Sequence, residues 1–178
     1  MKVIFLDLDG VLNTGAQWTA GTSRRNQRDS YGDPFCDDAV HQLGRILEAT
    51  SAEIVISSTW RMSGLGVMRD LWVNRSLPGN IYDITPVFSS IRGLEVSDWL
   101  GKHRFFPHLM DTPRWAEIQV EEGAVTNYCI IDDDSDFLLY QGPHFVHCNA
   151  QTGLTPDLAD KAIRILNSPP TNPNALLY

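Results

Sequence analysis

Cysteine, positive charge and long apolar runs are all scarce in this chain, and each shortage removes a class of protein. There are three cysteines in 178 residues, Cys36, Cys129 and Cys148, with no CxxC pair and no His-rich spacing. That points away from a disulfide framework or a cysteine-held zinc site and toward buried thiols in a reducing cytoplasm. No apolar stretch approaches the roughly 20 residues of a membrane span. Met1–Leu6 is too short for a secretion-signal core, and Asp7 interrupts it. The expected setting is therefore cytoplasmic, with no membrane partner and no obligate protein partner in view. Lys and Arg number 14 against 22 Asp and Glu, a formal net charge of -8. A polyanion would have to be met by a local basic patch, since the chain as a whole repels it. No internal repeat and no linker divide the sequence, so residues 1–166 are expected as one domain, followed by a Pro/Asn-rich tail over 167–178.

What is present is concentrated first in Lys2–Asn13, KVIFLDLDGVLN. Val3–Leu6 is a short run of apolar, partly β-branched residues, the pattern of a strand buried on both faces. It ends in Asp7 and Asp9, one residue apart, and then Gly10. Two acids at the end of a buried strand repel one another unless a cation lies between them. Oxygen ligands alone favour a hard ion such as Mg²⁺. The plain alternative is that the acids solvate a strand end and Gly10 starts a turn.

Thr14–Gly32 is polar and turn-rich and carries Arg24, Arg25, Arg28, Trp18 and Tyr31. Its length without periodicity reads as a flap or binding loop over 14–33, or as a solvated connection. A helix is expected with Asp33 as N-cap and Pro34 in its first turn, with Phe35, Ala39, Val40, Leu43, Ile46 and Leu47 at helical spacing. Glu53–Ser57 reads as the next buried strand, with Ser57-Ser58-Thr59-Trp60-Arg61 at its end. Leu65, Met68 and Trp72 mark a further helix; Ile81–Phe88 alternates weakly, with Pro86 consigning it to a sheet edge. Arg92-Gly93 leads into a short helix carrying Val96, Trp99 and Leu100. Residues 102–126 fit a helix and a strand equally. Asn127–Ile131 is another buried strand, ending in Asp132-Asp133-Asp134-Ser135-Asp136. Phe145–Cys148 is a last strand, and Thr155-Pro156 opens a last helix.

Alternating strands and helices predict an α/β fold, a parallel sheet covered on both faces. In such sheets the functional crevice lies outside the carboxyl ends of the strands. Three polar clusters, Asp7/Asp9, Ser57–Arg61 and Asp132–Asp136, would meet there.

DLDGVLN, ISSTWR and IIDDD, in that order, resemble the first, second and fourth motifs of the haloacid dehalogenase superfamily. More narrowly, the set is similar to the small phosphatase-type domains of that superfamily found with nucleic-acid repair proteins. The resemblance implies a Rossmann-like three-layer sandwich with a small cap or none. It implies a phosphomonoester hydrolase in which Asp7 is the nucleophile, forming an aspartyl-phosphate, and Asp9 the general acid and then base. Mg²⁺ would be held by Asp7, the Asp9 backbone carbonyl and Asp132, with Asp133 nearby directly or through water. Ser57, with backbone amides near Gly10 and Ser58, would bind the phosphoryl group. The superfamily's third motif is usually a lysine, and none stands in an obvious place here. Arg92 is the expected replacement, with Lys102 the alternative; Arg61 is a second phosphate candidate, or else pairs with an acid. Asp136 is expected near the metal as a supporting acid, and the five histidines share no spacing.

With little room for a cap, the mouth would be open enough for a polynucleotide end or a nucleotide. Arg24, Arg25, Arg28, Trp18 and Tyr31 would supply charge and stacking surface. A small phosphomonoester remains the competing substrate, since the net charge disfavours a polyanion. Outside enzymes, a silent Mg²⁺-binding module or a receiver-like signalling domain would keep the acids without turnover.

Overall fold

The computed structural model describes residues 1–16, 28–103, 105 and 124–169. Five strands, β1 (Lys2–Leu6), β2 (Glu53–Ile56), β3 (Ile81–Ile84), β4 (Asn127–Asp132) and β5 (Phe145–His147), form one sheet in the order β3-β2-β1-β4-β5. Every pairing is parallel. The central strand β1 is flanked in register by Phe5↔Val55 and Phe5↔Ile130.

Strand alternation divides the core into two layers. Ile4 and Leu6 of β1, with Cys129 and Ile131 of β4, face helices α1 (Asp37–Thr50), α2 (Leu65–Asn74) and α4 (Pro156–Asn167). Val3, Phe5, Tyr128 and Ile130 face the other way, onto Val96, Trp99 and Leu100 of α3 (Arg92–Lys102). The result is the three-layer α/β sandwich expected, with a sheet apolar on both faces because helices cover both. Among the described residues there is no second core beyond these two faces of one sheet.

Several boundaries differ from the sequence reading. Helix α1 starts at Asp37 behind a Cys36 N-cap with no side-chain cap, and not at Asp33-Pro34. Asp37 and Asp38 in the first turn provide the favourable charge at the helix dipole instead. Phe35 is left free to bury itself outside the helix, while Asp33 pairs with Arg28 at the surface, 3.2 Å away. Strand β3 stops at Ile84, two residues before Pro86, and lies at the sheet edge as Pro86 required. Arg69 of α2 takes two of its carbonyls, those of Ile81 (3.0 Å) and Tyr82 (2.7 Å), which blunts the exposed edge.

Of the flap expected over 14–33, Trp18, Arg24 and Arg25 lie outside the described residues, as does most of 102–126 and of the tail. The flap's returning stem is anchored. Asp29 accepts two hydrogen bonds from Arg75, each 2.8 Å, and the guanidinium lies 4.6 Å over the Phe35 ring. That bidentate pairing holds the Asp29 carboxyl at about 2, below the usual carboxylate range. Tyr31 accepts from Asn74 Nδ2 at 3.1 Å. Cys129 and Cys148 are buried thiols and Cys36 is half-buried. Burial pushes Cys148 up to about 12, so it is an inert thiol.

Candidate active site

The site is built where the parallel ladder runs out. Asp7 N–H donates to Ile131 O (3.0 Å), Ser57 N–H to Leu6 O (2.9 Å) and Cys148 N–H to Asp132 O (2.8 Å). These bonds hold the ends of β1, β2 and β4 side by side. Asp7, Ser57 and Asp132, far apart in sequence, thus emerge from neighbouring strands at one end of the sheet.

Immediately after Asp7 the chain folds into a tight turn. Leu12 and Asn13 N–H both donate to Leu8 O (2.9 and 2.8 Å), and Gly10 N–H donates to Asn13 O at 2.7 Å. Gly10 has φ +73°, and a Cβ there would lie 2.2 Å from the Asp133 carboxyl. Glycine is therefore required twice over, by the left-handed backbone and by the close approach of the fourth-motif acid.

Asp7, Asp132 and Asp133 offer carboxylate oxygens all within 4.8 Å of one another. Asp7 and Asp132 are 5% and 1% exposed. Burial raises both carboxyls well above their ordinary range, and for Asp132 the neighbouring Asp7 adds to the effect. Asp133, half-buried, is raised by the same cause. Three acids so close are opposed by one guanidinium. Arg92 Nη1 donates to Asp7 Oδ1 at 2.8 Å and to the Ser57 carbonyl, and lies 3.3 Å from Asp132 Oδ2. Asp132 Oδ2 and Ser57 Oγ are buried without a hydrogen-bond partner. An acid-rich, oxygen-only pocket with orphaned buried oxygens fits a hard divalent cation.

Arg92 is thus the cation that reaches the acids. Lys102 stands at the far end of α3, exposed and paired with Asp98 at 2.7 Å. Arg61 forms a buried ion pair with Glu95, the acid-paired alternative, and donates from Nη1 to Ser58 O at 2.6 Å. Glu95 in turn accepts from the N–H groups of Phe88 (2.8 Å) and Ser89 (3.0 Å). Asp136 accepts from Arg92 N–H at 2.9 Å, and its carbonyl from Gly93 N–H at 3.1 Å. Its carboxylate caps the N-terminus of α3, whose own N-cap Ile91 has no capping group, so this acid positions Arg92 from behind.

Asp9 is exposed and turns to other partners. Trp60 Nε1–H donates to Asp9 Oδ2 at 2.8 Å, and Asn13 Nδ2–H to Asp9 Oδ1 at 2.9 Å. The Arg92 guanidinium, and more weakly the Ser58 hydroxyl, favour the ionised form of Asp7 against the cost of its burial. Sequence reasoning did not assign Trp60 a partner or Glu95 a place, and it expected Asp136 beside the metal, whereas its carboxylate accepts from the Arg92 N–H. The Asp9–Asn13 spacing within one turn was the signal available for Asn13. Nothing in the sequence marked the Trp60 indole, whose partner lies 51 positions away.

Over residues 3–159 the chain matches the model of a family described as a HAD domain in Swiss Army Knife RNA repair proteins, and it belongs to that family. No curated protein and no solved structure matches the chain. The family places the chain with the phosphohydrolases of the haloacid dehalogenase superfamily, whose members generally use Mg²⁺. The resemblance carried by DLDG, SSTWR and IIDDD is in that respect the right one.

Proposed function

We propose that this chain is a Mg²⁺-dependent phosphomonoester hydrolase working through an aspartyl-phosphate, with a nucleotide or polynucleotide-end phosphate as substrate. The observation that carries the reading is the juxtaposition of three acids, Asp7, Asp132 and Asp133, with a single guanidinium at the strand ends. Such a cluster is poorly balanced by Arg92 alone and suits a cation plus a phosphoryl group. Residues 1–166 would form the whole catalytic domain, with 14–33 as the flap and the residues from 167 on as a tail.

Asp7, Asp132, Asp133 and the Asp9 carbonyl would hold Mg²⁺. When bound, the ion screens nucleophile from phosphate and clamps a non-bridging oxygen. An Asp7 carboxylate oxygen attacks phosphorus and the bond to the leaving oxygen breaks, while Asp9 donates its proton to that oxygen. Asp9, now a carboxylate, takes a proton from water as the water attacks phosphorus. The Asp7–phosphorus bond breaks, releasing inorganic phosphate and restoring Asp7. Ser57 Oγ and Ser58 would bind equatorial oxygens; Gly10, whose own N–H is held by Asn13 O, would serve them by shaping the turn, and Arg92 would exchange its bond to Asp7 for one to the phosphoryl group. Arg61 is spoken for by Glu95, and its contribution would be to brace the segment that carries Ser58.

The nucleic-acid side of the reading is supported by the family's occurrence in RNA repair proteins and by the basic and aromatic residues of the flap. A Mg²⁺-supplemented panel of nucleotides, 3′- and 5′-phosphorylated oligonucleotides, sugar phosphates and phosphopeptides tests it. Oligonucleotide ends or nucleotides should be preferred. Asp7→Asn should lose about 10⁴-fold or more in kcat on every substrate cleaved. Substantial turnover by that variant would remove the nucleophile assignment, and a preference for sugar phosphates would remove the substrate class.

A further inference from the structure

The five residues Ser57–Arg61 approach both acids of the first motif at once. The Ser57 carbonyl shares the Arg92 guanidinium with Asp7, and three positions later Trp60 reaches Asp9. The turn Thr59–Ser63 is a tight 3₁₀ element whose N-cap, Ser58, accepts from Trp60 N–H at 3.5 Å. Arg61 closes it from both main chain and side chain on Ser58 O, at 3.1 and 2.6 Å. The Trp60 ring is further set by Phe35, 5.7 Å between centroids and tilted by 50°. Phe35 itself is 3% exposed beneath the Arg75 guanidinium. The indole is therefore a fixed donor on a rigid support, aimed at an acid that is otherwise exposed to solvent.

We propose that Trp60 is the positioning residue for Asp9, holding its carboxyl in the orientation from which it exchanges a proton with the leaving oxygen and then with water. This rests on the acid/base role proposed for Asp9. Asn13 belongs to the same turn as Asp9 and moves with it, so its bond orders the carboxyl only within that turn. Trp60 comes from the segment that follows the neighbouring strand β2, and fixes Asp9 relative to Ser57 and, through the Arg92 guanidinium that Ser57 shares, to Asp7. Each carboxyl oxygen has two lone-pair directions, and each of these donors occupies one. The remaining directions are left for the proton, and losing the indole N–H frees the side chain to rotate into solvent. Proton transfer depends on geometry at the scale of a hydrogen bond, so a freed Asp9 should forfeit part of the 10²–10⁴-fold that a placed acid typically supplies, roughly 10- to 100-fold here.

The test compares kcat/KM for an alkyl phosphate and for 4-nitrophenyl phosphate in wild type, Asp9→Asn and Trp60→Phe, with Mg²⁺. An alkoxide needs a proton to leave, whereas 4-nitrophenolate departs without one. Trp60→Phe should fall on both substrates, with the fall on the alkyl phosphate larger by about tenfold or more. Inhibition by inorganic phosphate should stay within about threefold of wild type, because the substitution removes only the indole N–H, which is bonded to Asp9, and leaves the Trp60 backbone on Ser58 Oγ. Equal losses by Trp60→Phe, alongside the expected leaving-group pattern in Asp9→Asn, would overturn the role of Trp60 and leave that of Asp9 standing. Equal losses by Asp9→Asn itself would overturn the acid assignment and the proposal together. Should Trp60→Phe fail to fold, the indole N–H resonances decide it in folded protein. Asp9→Asn must shift one of the five tryptophan signals strongly, and an unchanged set would overturn the contact.

Discussion

Removing one of the proposed metal ligands should make the metal-free protein more stable. Asp132 is 1% exposed, its Oδ2 accepts no hydrogen bond, and its one ion-pair partner among the described residues, Arg92, is 3.3 Å away and shared with Asp7. The folded chain therefore retains a proton on this pair of acids at a pH where the unfolded chain has released it. Stability must then fall as pH rises from the unfolded carboxyl value toward the raised folded one, by up to about 1.4 kcal/mol per pH unit for each proton retained. Over the roughly three units between pH 4 and pH 7 that is at most about 4 kcal/mol, and relaxation of the site reduces it. Asp132→Asn keeps the shape and can keep the acceptor for Asp134 N–H, seen at 2.9 Å, while removing the charge. It gives up the Arg92 contact, worth about 1 kcal/mol. The net gain is about 1–3 kcal/mol, or roughly 2–12 °C in Tm for a domain of this size.

The assay is thermal unfolding from pH 5 to pH 8.5 in chelator and again in millimolar Mg²⁺. In chelator the variant should melt above wild type at pH 7.5, with a shallower decline toward high pH. In Mg²⁺ the gap should close or reverse, because ion binding stabilises wild type by about 2.7 kcal/mol at a hundredfold excess over Kd, against a variant advantage of about 1–3 kcal/mol, and the variant has lost a ligand. A variant that in chelator is no more stable than wild type at pH 7.5 would refute the account of Asp132 as an uncompensated buried charge. A Mg²⁺ increment as large as that of wild type would refute its place as a ligand.

Two other substitutions test separate parts of the scaffold. Gly10→Ala places a Cβ 2.2 Å from the Asp133 carboxyl at φ +73°, so it should cost about 1–2 kcal/mol in urea unfolding and weaken Mg²⁺ binding about tenfold or more by calorimetry. Unchanged metal affinity would separate Asp133 from the metal site. Arg61→Ala leaves Glu95 buried and unpaired, and should cost about 3–5 kcal/mol, with much of that recovered in the double variant Arg61→Met, Glu95→Gln. If Arg61 is a brace, KM for 4-nitrophenyl phosphate in the double variant stays within about threefold of wild type; a much larger rise would return Arg61 to the phosphate.

Periodicity carried the fold because the elements that matter here are buried on predictable faces. Val3–Leu6 and Cys129–Ile131 are apolar throughout, and their termination in acids placed both at the strand ends. The start of α1 was misplaced because Asp33 and Pro34 have the chemistry of a helix entry, whereas Phe35 is drawn into the core before the helix begins. For the site, the acids were legible from sequence and their partners were not. Arg92 could be chosen over Lys102 for standing just before a helix, but what aims it was hidden, because Asp136 was an acid that the resemblance had placed near the metal. Glu95 reads in sequence as an ordinary polar residue of a helix, yet it is 1% exposed and joins three segments. Contacts between segments 34 to 51 positions apart leave no periodic trace.

Those same long-range contacts give the two clusters around the crevice different tolerances. The acids on β1 and β4 hang from ladder hydrogen bonds and cannot move without breaking the sheet. Arg92 and Trp60 sit in the first turns of elements outside the sheet, and each is aimed by a second residue: Asp136 behind Arg92, Phe35 behind Trp60. The Arg61–Glu95 pair ties these elements to one another, since Arg61 grips Ser58 O and Glu95 gathers the N–H groups of Phe88 and Ser89 just ahead of Arg92. A buried ion pair adds little net stability over apolar residues of the same shape, but it is directional. Its value in this position is that the segment bearing Ser58 and Trp60 cannot shift independently of the helix bearing Arg92. The groups that would meet a phosphoryl oxygen and the group that holds Asp9 are thereby kept in one frame, while the acids are kept in another by the sheet.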